Sequence, residues 1–189
     1  MRDLILKMSM SLDGFVSDID GTNGWMFGND DTAKSWSVDY LWGAGLHLMG
    51  GATFAAMARH WPTAAGDFAA PMNAIPKAVI ALATPSLIAS VAPGPGQWDA
   101  ARVLSGDLAE EVARLKGELG KPIIAHGGVR FARRLIAAGL VDQFTLMTIP
   151  VALGRGQALF ADLSAPLSLT LVEATRFPGG AVASVYRPR

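Results

Sequence analysis

Ile123-Ile124-Ala125-His126-Gly127-Gly128-Val129-Arg130-Phe131-Ala132-Arg133-Arg134-Leu135 decides the fold. Pro122 to Ala125 is a short apolar run of the kind that forms a buried strand. His126-Gly127-Gly128 is a turn, and Val129 to Ala138 places Phe131, Leu135 and Ala138 on one helical side before Gly139 stops it. Adjacent glycines between a strand and a helix let an anion approach backbone N–H groups at the positive end of the helix dipole. Upstream, Leu46 to Met49 followed by Gly50-Gly51 and a helix-like stretch from Ala52 to Trp61 repeats the unit. Thr53 there is either a phosphate donor or a helix cap. Two such turns in one sheet can hold the two ends of a dinucleotide.

The other elements follow by the same logic. Leu4 to Ser11 reads as a first strand ending at Asp13-Gly14, and Asp30, Asp31 or Thr32 can cap a helix running to Trp42. Ala78 to Leu82 and Val103-Leu104 are further strands, with Pro93-Gly94-Pro95-Gly96 as a loop between them. Ser105 caps a helix with early acidic and late basic residues that closes at Gly120. Phe144 to Val151 is a strand, and Leu167 to Ala174 with Ala181 to Arg187 form a terminal hairpin across Phe177-Pro178-Gly179-Gly180. The expectation is a single α/β domain over residues 1–189, with a mixed central sheet of about eight strands flanked by helices.

Composition narrows the function. Sixteen basic and sixteen acidic residues cancel, leaving no electrostatic footprint for nucleic acid or an anionic membrane. With no cysteine there is neither a disulfide framework nor a thiolate metal site, and His47, His60 and His126 lack metal-ligand spacing. Asp3 and Lys7 interrupt any signal core, and the longest uncharged stretch is broken by Pro85, so a cytoplasmic protein is expected. Hydrophobic residues reach 51% against 17% charged, which suggests a homodimer that buries the excess.

Met8-Ser9-Met10-Ser11-Leu12-Asp13-Gly14-Phe15-Val16, Leu48-Met49-Gly50-Gly51-Ala52-Thr53-Phe54 and Ile123 to Gly128 together resemble blocks of dihydrofolate-reductase-like proteins. Those proteins include the C-terminal reductase domain of bifunctional riboflavin-biosynthesis enzymes, which the chain also resembles. Leu135 to Asp142 and Pro150 to Phe160 continue the resemblance, which spans Leu4 to about Asp162. It implies reduction of a pterin- or ribosylaminopyrimidine-like heterocycle by NADPH, with NADH possible. The cofactor residues it implies are Gly50, Gly51, Thr53, Thr84, Gly127, Gly128, Val129 and Arg130. Two departures stand out: Gly51 replaces a basic residue usual at the 2′-phosphate, and the third strand reads Ala81-Leu82-Ala83-Thr84, leaving only the Thr84 hydroxyl. Discrimination between NADPH and NADH should therefore be no more than about tenfold.

Reducing a C=N bond also needs an acid. Asp31 is the expected proton donor, although capping by Asp30 or Asp31 explains that pair equally well. Asp13 is a second candidate that also suits a plain turn, and Trp25 is either an aromatic lid on the substrate or a loop anchor. A non-catalytic nucleotide-binding protein on the same fold is the alternative function.

Overall fold

A computed structural model describes residues 1–26, 30–81 and 97–189. Thr84 and the Pro93 to Gly96 loop lie outside the described residues. Eight strands form one sheet: β1 (Leu4–Ser11), β2 (Leu46–Gly50), β3 (Lys77–Ile80), β4 (Arg102–Leu104), β5 (Ile123–His126), β6 (Gln143–Ile149), β7 (Leu169–Arg176) and β8 (Val182–Pro188). Their order is β4-β3-β2-β5-β1-β6-β8-β7. The first six positions run parallel, and β8 turns antiparallel to both β6 and β7. The apolar runs of β2, β3 and β5 are buried on both faces, as parallel strands under two helical layers must be.

The helices are α1 (Asp31–Trp42), α2 (Gly51–His60), α3 (Ala69–Ala74), α4 (Leu108–Gly117) and α5 (Val129–Ala137). Alternate residues of β1 show how they divide. Leu4 and Leu6 pack with Val112 and Leu115 of α4 and Phe131 and Leu135 of α5. Ile5, pointing the other way, packs with Leu41 of α1, Phe54 of α2 and Met72 of α3. A third cluster, Met147, Phe177, Ala181 and Ala183 with Trp36 against it, fixes the hairpin to α1.

Three local expectations are corrected. α4 is capped by Asp107, whose carboxylate accepts from the N–H groups of Ala109 and Glu110, because Ser105 stands two residues before the N-cap position. That helix ends at Gly117 with Glu118 as C-cap, short of Gly120. α3, with Pro71 inside it, was not foreseen, since one and a half turns carry no readable period. Gly139 does stop α5, in the left-handed region at φ 64°. The edge strand β7 leaves Leu171 and Val172 exposed, so apolar surface gathers there.

Leu135 is fully buried on the α5 face that meets the sheet. Leu135→Ala is expected to cost about 2–5 kcal/mol, read as a lower denaturant midpoint at unchanged slope; a loss well under 1 kcal/mol would mean that α5 packs loosely.

Candidate active site

The site begins where β2 and β5 end side by side. Gly50 is the N-cap of α2 and Gly128 the N-cap of α5, and neither helix has a side chain bonded to its first-turn N–H groups. α1 and α4, in contrast, are capped by the carboxylates of Asp30 and Asp107. A helix start without a side-chain acceptor leaves its orphan donors for water or a ligand. A Cβ on Gly128 would fall 2.7 Å from the Thr53 hydroxyl oxygen, and one on Gly127 would overlap the Met8 thioether. The two glycines therefore keep open a gap between the starts of α2 and α5, lined by backbone donors and one hydroxyl. Among the described residues Thr53 makes no hydrogen bond and caps nothing, which removes the capping role considered for it.

These residues fit the pyrophosphate of a dinucleotide: two helix starts, two glycines and a free hydroxyl on adjacent strand ends. Val129 and Arg130 open the first turn of α5, with Arg130 exposed, and Gly51 opens α2. Gly51 and Ala81 are buried and present no charge toward a 2′-phosphate.

Beside this gap, on the α1 side of the sheet, lies a cavity of about 670 Å³. Lys7 and Ser9 of β1, Met147 and Ile149 of β6, the start of α1 and the Pro178-Gly179 turn surround it. Lys7 is the register partner of His126 on β5, so the cavity floor touches the strand that leads into Gly127-Gly128. Burial pushes the Lys7 ammonium down to about 8. No carboxylate pairs with it among the described residues.

Lys7, half-buried, stands at the end of a basic row whose other members are buried. His126 and His47 pack edge to face with ring centroids 4.5 Å apart. His47 is the register partner of Lys77 on β3. The Lys77 ammonium donates to the carbonyls of Asn73 and Ile75 and sits 4.7 Å over the Trp98 ring. Both nitrogens of His47 and Nε2 of His126 are buried without partners among the described residues. Burial, then Lys7 and Lys77, pushes His126 down to about 3, and burial with His126 and Lys77 keeps His47 neutral.

The expected acids are placed differently. Asp31 lines the cavity rim, but its carboxylate is 93% exposed and lies 3.1 Å from Lys34 Nζ. It lacks the burial an acid at that position was expected to need. Asp30 is the cap: its carboxylate accepts from Ala33 N at 3.0 Å and from Gly179 N at 2.6 Å, tying α1 to the hairpin turn. Asp13 accepts from the Ser11 hydroxyl at 2.6 Å, Gly154 N at 2.7 Å and Leu153 N at 3.1 Å. Those donors, Ser11 first, hold it down to about 2, so Asp13 is an ionised staple between two loops. Trp25 sits in a single 3-10 turn, Gly24–Met26, half-buried, and the residue facing the cavity is its neighbour Met26. Lys7 escaped the sequence reading, although a lysine between Leu6 and Met8 in an apolar strand was its visible signal.

The model of the RibD C-terminal domain matches residues 2–183. The chain belongs to the RibD C-terminal domain family. Within that family setting, it is 39% identical over 83 residues to the uncharacterized protein YyaP of Bacillus subtilis, a match spanning 44% of each chain. A putative riboflavin biosynthesis protein from Shewanella sp. PV-4 superposes with TM-score 0.72 at 19% identity, covering 99% of both chains. The Thermotoga maritima deaminase/5-amino-6-(5-phosphoribosylamino)uracil reductase aligns with TM-score 0.68 at 14% identity over all of this chain and 57% of its own. Enterococcus faecalis dihydrofolate reductase, complexed with NADP(H), gives 0.63 at 12% identity, covering 99% of this chain and 96% of its own. These likenesses establish a dihydrofolate-reductase-like α/β fold, as the sequence implied.

The histidine row has a pH consequence. Both imidazoles have folded values below the ordinary 6.5, so under pH 6.5 the unfolded chain binds protons that the native state refuses. Stability should fall as pH drops from 6.5 to about 5, above the carboxylate range, by up to about 1.4 kcal/mol per pH unit for each histidine. Denaturant titrations across that interval check it; His47→Leu should flatten the slope, and a wild-type curve already flat there would contradict buried neutral imidazoles.

Proposed function

We propose that this RibD C-terminal domain protein is a reductase that takes hydride from a reduced nicotinamide dinucleotide and delivers it to a flat heterocycle in the Lys7 cavity. The observation that carries this reading is the junction of two features at one sheet edge. Uncapped glycine helix starts at Gly50 and Gly128 stand beside a cavity whose floor holds a lysine with no carboxylate partner among the described residues. The bound dinucleotide would supply the hydride; the protein supplies position and a proton.

Gly127, Gly128, Val129 and Thr53 would hold the pyrophosphate through backbone N–H groups and the Thr53 hydroxyl. Lys7, on the strand next to His126, would stand at the reducing end, where its ammonium donates a hydrogen bond to the substrate heteroatom and then the proton that accompanies hydride addition. A value near 8 suits that role, because the group is charged at neutral pH yet gives up its proton more readily than a solvated lysine. The product leaves with one added hydride and one added proton, and Lys7 is reprotonated from solvent through the cavity mouth. Asp31 stands at that mouth, exposed and beside Lys34.

The alternative of a non-catalytic dinucleotide-binding protein draws on Gly51 and Ala81, which offer the adenosine end no basic group.

Lys7→Met should retain dinucleotide binding while lowering turnover by about 10²- to 10⁴-fold. Wild-type activity should fall as pH rises through about 8, where Lys7 loses its proton. Gly128→Val should remove dinucleotide binding from a protein that still unfolds cooperatively. Full turnover in Lys7→Met overturns the proton-donor assignment, and unchanged NADPH titration of Gly128→Val overturns the cradle.

A further inference from the structure

Charge is unevenly distributed in the cavity. Four charged side chains line it: Lys7 at the floor, and Asp30, Asp31 and Lys34 around the start of α1. The segments 27–29 and 82–96 contain no charged residue, so they add nothing to this set. Lys34 Nζ lies 3.1 Å from the Asp31 carboxylate, which leaves Asp30 as the excess charge at the mouth. The floor is positive and the mouth is negative.

A phosphate at the mouth would look first to the N–H groups that start α1 and to the hairpin turn. Two of those donors, Ala33 N and Gly179 N, are already taken. Asp30 accepts from Ala33 N at 3.0 Å and from Gly179 N at 2.6 Å, filling with a carboxylate the place where a phosphate would bind. Those two backbone hydrogen bonds, Ala33 first, hold Asp30 below its ordinary value, so it keeps its charge. A phosphate monoester carries close to two negative charges near neutral pH and would face the carboxylates of Asp30 and Asp31, with Lys34 already beside Asp31. Arg155, on the loop after β6, and Arg176, at the end of β7, do not line the cavity. Phe68, Met147, Ile149 and Pro178 make the other walls largely apolar, with the hydroxyls of Ser9, Thr32 and Ser37 as the neutral polar groups among the described residues.

The floor calls for the opposite chemistry. Lys7 has no carboxylate partner and lies next to the strand entering Gly127-Gly128, so the end of the substrate that reaches it is the reacting end and must present an acceptor. We propose, resting on the reductase reading above, that the substrate is a flat heterocycle whose acceptor end meets Lys7 and whose far end is neutral or cationic and carries no phosphate. This class differs from the phosphoribosylamino compound in the name of the Thermotoga neighbour. Asp30 and Asp31 are the residues that exclude it.

Calorimetric titration of the protein loaded with oxidised NADP, which cannot turn over, with 5-amino-6-(ribosylamino)uracil and with its 5′-phosphate tests this. The unphosphorylated compound should bind at least about tenfold tighter. The gap should narrow between about 0.1 M and 1 M salt, where the screening length falls from about 10 Å to 3 Å. It should also narrow in Asp31→Asn, a change at an exposed position that keeps the Asp30 cap. Equal or tighter binding of the phosphate overturns the inference, as does failure of both compounds to bind a protein that binds NADP. Absence of NADP binding in the same series overturns the reductase reading itself, so the two failures are distinguishable.

Discussion

The pairing of β5 between β2 and β1 is the constraint on which the rest depends. Parallel register brings Leu48 opposite Ala125 and Lys7 opposite His126, so three strands end at one edge in a fixed order. Gly50 and Gly128, about eighty residues apart in sequence, thereby cap helices that start side by side, and Lys7 comes to lie on the strand next to the one that leads into Gly128. A slip of β1 by one residue would turn Lys7 into the α4–α5 core and Leu6 into the cavity. The burial of Leu4 and Leu6 beneath α4 and α5 opposes that slip, so packing on one face fixes the chemistry on the other.

The same order concentrates positive charge where the fold can least tolerate it. Lys77, His47, His126 and Lys7 sit on the α1 face with Tyr40, Thr145 and Gln143 as polar neighbours further along the sheet. Lys77 is partly compensated by two carbonyls and the Trp98 ring, whereas Lys7 is left to the cavity. The native state accepts this by keeping both histidines neutral. An uncompensated cation in a cavity that opens toward a negative rim is a cost to folding that a bound acceptor would offset.

Local chemistry in the sequence marked most elements. Apolar runs of four to eight residues gave the strands their places, Asp30 and Gly139 marked the ends of α1 and α5, and the hairpin announced itself at Phe177-Pro178-Gly179-Gly180. Strand order could not be read, because it depends on pairings more than a hundred residues apart, such as Leu4 with Ile123. Within the site, glycines between strand and helix were visible because only backbone geometry was at issue. Which carboxylate mattered was not, since Asp30 and Asp31 differ only in the direction each takes at a helix start. Lys7 stayed hidden for a related reason: alternation along β1 shows that it faces away from Leu6, but what lies on that side is set by α1 and β6.

The central claim is that the gap between α2 and α5 holds a reduced dinucleotide with its reactive end beside Lys7. A crystal structure of the protein with NADPH tests it most directly. The pyrophosphate should lie within hydrogen-bond distance of the N–H groups that begin α5 and of the Thr53 hydroxyl, with the nicotinamide ring over the strand ends of β1 and β5. A dinucleotide bound elsewhere, or crystals that stay empty at saturating NADPH, would contradict it.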